Sequence, residues 1–247
     1  MPLNVFIEKK PKRIIGIAAG KGGVGKSTVT VNLARAMKDS GLKVGILDAD
    51  VYGPSIRKML PETVLPVQKG ERLFPGEAEG IKVISLAHFN KLNEALIVRA
   101  PIACKIVTEF LDLVDWGDLD FLLIDFPPGT GDIQLTLSQK AKISGVVMVT
   151  TPQEVAVMDV QKAIQMFDVV QVPILGIIEN MSFIDVGRER LYPFGKGGGE
   201  RLAEANDLPL LGSVPIREAI SLNSDKGVPL ESIEPFDEIA EKIRAYF

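Results

Sequence analysis

The chain has 247 residues, of which 46% are hydrophobic and 24% charged, enough for one large α/β domain with little left for a second. Its 28 basic and 32 acidic residues give a net charge of −4, so no global positive field draws it to nucleic acid. No run of about 18 apolar residues suggests a membrane span, and the single cysteine, Cys104, excludes an intrachain disulfide and fits a reducing, cytoplasmic setting.

Met1 to Lys12 mixes acids, bases and a few apolar residues, reading as an N-terminal extension without secretory character; residues 13–247 read as one domain. In chain order, the pattern gives a strand at Arg13–Ala19, a helix at Lys26–Ser40 and a strand at Lys43–Leu47. Leu60 to Gly80, rich in Pro, Gly and charge, reads as a hairpin or surface excursion, followed by a strand at Ile81–Leu86. A helix at Pro101–Val114 precedes a strand at Asp120–Asp125 and a helix at Ile133–Lys140. Next come strands Gly145–Thr150 and Pro173–Ile178, separated by a helix at Glu154–Val169. A helix at Gly198–Asn206, a short strand Leu208–Val214, and helices Arg217–Lys226 and Pro235–Tyr246 complete the chain. Several strands are apolar and β-branched throughout, as buried strands are. The alternation predicts a mostly parallel twisted sheet with helices on both faces.

Gly20-Lys21-Gly22-Gly23-Val24-Gly25-Lys26-Ser27 satisfies the pattern G-x-x-x-x-G-K-S/T between an apolar strand and a helix, the context a phosphate loop requires. Its glycines let successive N–H groups turn inward around phosphate oxygens, and the following helix adds its positive end. Lys26 is expected at the β- and γ-phosphates of ATP and the Ser27 hydroxyl on Mg²⁺. Asp48 and Asp50 end a strand at the sheet edge where open α/β folds bind ligands, and alternation lets both point toward the loop. Phe121-Leu122-Leu123-Ile124-Asp125 has the form of an apolar strand delivering an acid to Mg²⁺. Hard Mg²⁺ takes oxygen ligands and keeps waters, so Asp48 and Asp125 can act through water. Pro127 to Asp132 reads as a mobile Pro- and Gly-bearing loop beside the γ-phosphate, with Asp132 either capping the next helix or taking part in catalysis. Asn180 offers the amide donor and acceptor that can read an adenine edge.

The second lysine makes Lys21 to Thr28 resemble the deviant phosphate loop of the MinD/ParA/nitrogenase-iron-protein superclass. That resemblance implies a homodimer with ATP at its interface and Lys21 reaching the partner's nucleotide. It also makes Asp50 the residue orienting the attacking water, the Pro127 loop switch II, and Asn180, with the Val214-Pro215 turn, the adenine site. More widely, Asp48 to Ser55, Asp125 to Leu137, Thr150 to Gln153, Glu179 to Ser182 and Phe194 to Gly199 resemble the Mrp (ApbC-like) family of P-loop ATPases. The resemblance runs from about Arg13 to the C-terminus. It implies slow ATP hydrolysis and the carrying or assembly of iron–sulfur clusters for apoprotein partners.

One departure bears on the cluster. The family usually has a Cys-x-x-Cys pair shortly after the Glu179-Asn180-Met181-Ser182 segment; here Phe183 to Pro193 contains no cysteine, and clusters need mainly thiolate ligands. Two readings stand beside the family one: a MinD- or ParA-type positioning switch, and a regulatory ATP-binding module with negligible turnover. The first would need either a basic patch for DNA, of which the sequence shows none, or a membrane-binding tail. Phe236, Ile239, Ile243 and Phe247 share a side of the last helix, but its mixed-charge polar face suits packing on the body. His88 is a lone loop histidine, Trp116 a packing anchor, and Cys104 a buried packing residue.

Overall fold

The structure, a computed structural model, describes residues 10–50, 53–85 and 100–247; His88 and Leu86 lie outside them. Its main sheet is built from β1 (Arg13–Ala19), β2 (Val44–Asp48), β6 (Ile81–Ser85), β7 (Phe121–Asp125), β8 (Gly145–Thr150), β9 (Ile174–Glu179) and β12 (Leu210–Ser213), all parallel, with β5 (Gly76–Ala78) antiparallel on one edge. The order is β12-β9-β8-β1-β7-β2-β6-β5. Chain order reverses at β1, which places the loop after β1 in the crevice where open α/β sheets take ligands.

Alternation along the strands divides the interior into two cores. In β7, Phe121 and Leu123 face one core, which holds Val29, Leu33 and Met37 of α1 (Lys26–Asp39) and Phe236, Ile239 and Ile243 of α8 (Phe236–Arg244). Leu122 and Ile124 face the other. That core takes in Val107 and Phe110 of α3 (Ala100–Leu113), Leu137 of α4 (Asp132–Lys140), Ile164 and Phe167 of α5 (Glu154–Val169), and Leu202 of α6 (Gly198–Ala205). Burial of such side chains stabilises by about 1.5–3 kcal/mol each. Strands with no polar face are what this two-sided burial demands.

The expected helices and strands lie within one or two residues of the reading. Leu60 to Gly80 differs from it. β3 (Val67–Lys69) and β4 (Arg72–Phe74) do form an exposed hairpin, but β5 joins the main sheet and buries Ala78 against the first core. Three elements were not anticipated: α2 (Ile56–Met59), and β10 (Ile184–Val186) with β11 (Glu189–Leu191), an antiparallel hairpin in the cysteine-free segment. α7 (Glu218–Lys226) follows β12 and packs against α2.

Candidate nucleotide site

The loop Gly20–Thr28 joins β1 to α1, and its glycines are set by neighbours as well as by backbone angles. Gly25 has φ +82°, and a Cβ there would collide with the Asn180 amide. Gly20 lies directly against the Asp159–Val160 backbone of α5. Gly22 and Gly23 face open space, leaving the front of the loop free for an anion.

Behind the loop, two strand ends and the turn after one of them bring acids together. Asp48 and Asp125 are paired in register across β2 and β7, and both are fully buried. The Lys26 ammonium stands 2.9 Å from Asp125 Oδ2 and 4.0 Å from Asp50 Oδ2. The Ser27 hydroxyl donates to Asp125 Oδ2 at 2.6 Å, and Thr30, one turn into α1, donates to Oδ1 at 2.7 Å. Asp48 accepts from Ser85 Oγ at 2.9 Å and from the Asp50 N–H at 3.2 Å. Burial, and then the charge of Asp125, push the Asp48 carboxyl up to about 7, against the pull of Ser85, the Asp50 N–H and Lys26; desolvation dominates because the group has no exposure. Asp50 also accepts from the Gly53 N–H at 3.2 Å, so it shapes its own turn while remaining at the cleft.

The opposite wall is the Asn180 region. Asn180 Nδ2 donates to the Val24 carbonyl of the loop at 2.8 Å, which fixes the orientation of the amide. The turn carrying Pro215 is zipped to the same segment: Val214 N–H donates to Glu179 O, Ser182 N–H to Val214 O, and Ile216 N–H to Phe183 O, at 2.7 to 2.9 Å. The buried Glu179 carboxylate accepts from the Gly199 N–H at 2.6 Å and from Ser182 Oγ at 2.5 Å, which ties β9 to the start of α6. The resulting cleft measures about 690 Å³ and is lined by the loop from Lys21 to Thr28, Asp50, Asn180, Met181 and Pro215. That volume lies in the range of small-molecule sites.

The structure thus gathers Lys26, Ser27, Asp48, Asp50 and Asp125 on one side and Asn180 and Pro215 on the other. Lys21 is on the rim, half-buried, with no ion pair among the described residues. Thr28 Oγ1 lies 3.7 Å from Met59 Sδ of α2. Asp132 is exposed in the first turn of α4, where no side-chain cap forms. Three residues that hold the site were missed: Ser85, Thr30 and Glu179. Ser85 carried a signal, a hydroxyl closing the strand Ile81–Ser85 beside β2 directly after the apolar pair Val83-Ile84.

Ser27 and Asp125 suit Mg²⁺, which uses one or two protein oxygens plus waters and phosphate. No group of three His, Cys, Asp or Glu able to hold a metal occurs among the described residues, so Mg²⁺ at this site would depend on nucleotide phosphate. Thiolates for a cluster do not fit. The one cysteine, Cys104, is half-buried on α3, accepting from Thr136 Oγ1 of α4 at 3.5 Å.

A doubly wound sheet with a glycine loop of this sequence after β1 and an acid ending the neighbouring strand defines a P-loop NTPase. A family model described as ParA: NUBPL iron-transfer P-loop NTPase matches residues 10–246, and the chain belongs to that family. It is 46% identical over 245 residues to the iron-sulfur cluster carrier protein of Aquifex aeolicus, covering 96% of this chain and 67% of that protein. Identity to the iron-sulfur cluster carrier protein of Escherichia coli strain K12 is 45%, over 92% of this chain and 63% of that protein. The chain therefore spans about two thirds of the length of these relatives. Among solved structures, the nucleotide-binding protein in complex with ADP from Archaeoglobus fulgidus has a TM-score of 0.77 at 40% identity, covering 87% of this chain and 86% of that one. The septum site-determining protein MinD complexed with Mg-ADP from Pyrococcus horikoshii has 0.67 at 25% identity, over 94% and 95%.

Proposed function

We propose that the chain is a Mg²⁺-dependent ATPase serving iron–sulfur cluster assembly, working as a nucleotide-bridged homodimer. The observation that carries this reading is the group of buried Lys26 and Asp125 with half-buried Ser27 beneath a glycine loop open to solvent. In the free protein Asp125 neutralises the Lys26 ammonium. An incoming triphosphate competes for that ammonium, and Mg²⁺ arriving with it offers Asp125 a replacement cation, so phosphate and metal are expected to bind together. Mg²⁺ supplies neutralisation of charge developing on the phosphates. Lys26 supplies the same from the protein side, and Asp50 at the cleft orients the attacking water. The partner's Lys21 adds a further positive charge. Asn180 reads adenine: with one amide hydrogen committed to Val24, its carbonyl oxygen is available to accept from the 6-amino group of adenine, where guanine presents a carbonyl oxygen that cannot donate.

The cluster enters this scheme as cargo rather than as part of the protein. The names of the relatives support a place in cluster assembly, but the segment after Asn180 is a cysteine-free hairpin, and one thiol per chain cannot supply a protein-held cluster on its own. We therefore read the chain as the ATP-driven component of assembly, with the thiolates provided by a partner apoprotein or scaffold.

The membrane-positioning alternative is disfavoured because the apolar face of α8 is already used: Phe236, Ile239 and Ile243 are buried against α1 and β12. Among the described residues no helix is long and apolar enough to cross a membrane.

Phosphate release from ATP with and without Mg²⁺, in the native chain and in Lys26→Ala, tests the ATPase. Magnesium-dependent release lost in the variant, with the fold retained by circular dichroism, supports it; equal release sinks the site assignment. Anaerobic incubation with iron and sulfide, read by visible absorption, tests the second part. A stable cluster on the chain alone would overturn the partner-ligand reading.

A further inference from the structure

The chain leaves β9 through Asn180-Met181-Ser182, and it does so by an uncommon backbone step. Met181 has φ +54°, the left-handed region in which the Cβ of an ordinary residue crowds the following carbonyl. Asn180 and Met181 both line the nucleotide cleft, and a residue in such a conformation persists only where its surroundings over-determine it. Three contacts do so here. Asn180 N–H donates to Thr150 O at 2.8 Å and Ser182 N–H to Val214 O at 2.9 Å, which tie the backbone on either side of Met181 to β8 and to the turn after β12. The third is the Ser182 hydroxyl, which donates to Glu179 Oε1 at 2.5 Å and so joins the two residues that flank the Asn180-Met181 pair.

Glu179 is 3% exposed, and a carboxylate so placed is held by hydrogen bonds or not at all. Its Oε2 accepts from the Gly199 N–H at 2.6 Å. That bond caps α6, whose own N-cap residue, Gly197, makes no side-chain cap. A cap needs one oxygen; the other goes to the turn. Both oxygens therefore end on the wall of the cleft, one through Ser182 on the turn that carries Met181, the other through Gly199 on the segment that begins at Phe194, a further lining residue. The approach is close: a Cβ on Gly199 would stand 2.8 Å from Glu179 Cβ.

We propose that Glu179 is a positioning residue for base selection: its bond to Ser182 clasps the turn, keeps Met181 left-handed, and thereby holds the Asn180 amide toward the base. The inference rests on the reading of Asn180 as the adenine contact. With the clasp open, Met181 relaxes to ordinary backbone, the turn changes course, and the 2.8 Å bond that orients the Asn180 amide on Val24 O goes with it. The phosphate end is untouched, because Lys26, Ser27 and Asp125 hold one another through contacts of their own. Opening the clasp therefore changes which base is accepted and leaves the grip on the triphosphate.

Competition titrations of Mg-ATP against Mg-GTP on the full chain test this. Ser182→Ala removes only the turn side of the clasp and should lower the preference for ATP by about fivefold. Glu179→Gln, which keeps the shape but exchanges a charge-assisted bond for a neutral one, should lower it by a smaller factor, about twofold. The same two changes are then made in a Met181→Gly background. Glycine adopts positive φ freely, so there Ser182→Ala should change the preference by less than about twofold. A role confined to stability predicts instead equal losses in both backgrounds, following the melting temperature. An unchanged preference in Ser182→Ala, or an equal loss with and without Met181→Gly, would overturn the clasp. Asn180→Ala separates the two layers: a preference kept in that variant overturns the base reading and the clasp together, whereas one lost there but kept in Ser182→Ala overturns the clasp alone.

Discussion

Within the cleft, three carboxylates, Asp48, Asp50 and Asp125, converge on the single ammonium of Lys26. Asp48 bears the consequence. Its carboxyl is pushed up from 3.8 to about 7, so between those values the folded chain holds a proton that the unfolded chain has released, and stability falls as pH rises through that window. The cost is complete above about 7 and amounts to roughly 4 kcal/mol at most, at about 1.4 kcal/mol per pKa step. Asp48→Asn is therefore expected to raise the melting temperature at pH 8 by several degrees, with the gain vanishing toward pH 4, while weakening Mg-ATP binding. Melting curves across that range check the sign, and a gain that persists at pH 4 would refute it. Asn180 gives a second residue-scale test. Its amide is oriented by Val24 at 2.8 Å, so Asn180→Ala should cost about tenfold in preference for ATP over GTP. An unchanged preference in competition titrations would remove it from base recognition.

Among the elements, those legible beforehand share one property: they are long, and buried on a whole face or on both. The run Phe121 to Asp125 announced a central strand because every side chain up to the acid is apolar and buried, and the glycine loop announced its own turn. The cysteine-free hairpin, by contrast, has strands of three residues that are mostly exposed, so burial imposes no alternation on them. β5 hid for a related reason, since a three-residue antiparallel edge in a Gly- and Pro-rich stretch has no period to read. Ser85 and Thr30 act through contacts 37 and 95 residues away, which local pattern does not encode. Packing of α8 was legible in outline, from its mixed-charge outer face, but its seat on Gly212 was not. A Cβ at Gly212 would stand 2.6 Å from Ile239, so the helix rests on a strand position that has no side chain. Gly212→Val should push α8 outward and destabilise by about 1–3 kcal/mol, lowering the melting temperature by several degrees, and because Gly212 stands only three residues before Pro215 of the cleft wall, ATP affinity is expected to weaken with it. Loss of nucleotide binding in step with stability would show that α8 and the cleft form one unit.

At the scale of the whole molecule, the unresolved question for function is why a cleft already complete in Lys26, Ser27, Asp125 and Asn180 carries Lys21 as well. Lys21 stands on the rim without an ion pair among the described residues, and the glycines beside it face open space, so the described part of its own chain offers its ammonium no fixed counter-charge. A second chain's triphosphate would supply one. The single-chain cleft keeps most of the nucleotide's contacts, so Lys21→Ala should leave the first binding step within a few-fold of native. The interface loses a charge-assisted hydrogen bond worth roughly 1.5–3 kcal/mol at each of two equivalent sites, so dimerisation should weaken by at least a hundredfold. Light scattering at matched chain concentrations, with Mg²⁺ and a non-hydrolysable ATP analogue, should show the native chain passing from monomer to dimer and the variant remaining monomeric, with hydrolysis falling in parallel. If Lys21→Ala dimerises as the native chain does, the lysine does not cross the interface and the nucleotide-bridged dimer loses its main support. If it fails to bind nucleotide at all, Lys21 belongs to its own chain's phosphate site, and the second chain has no role in neutralising the triphosphate.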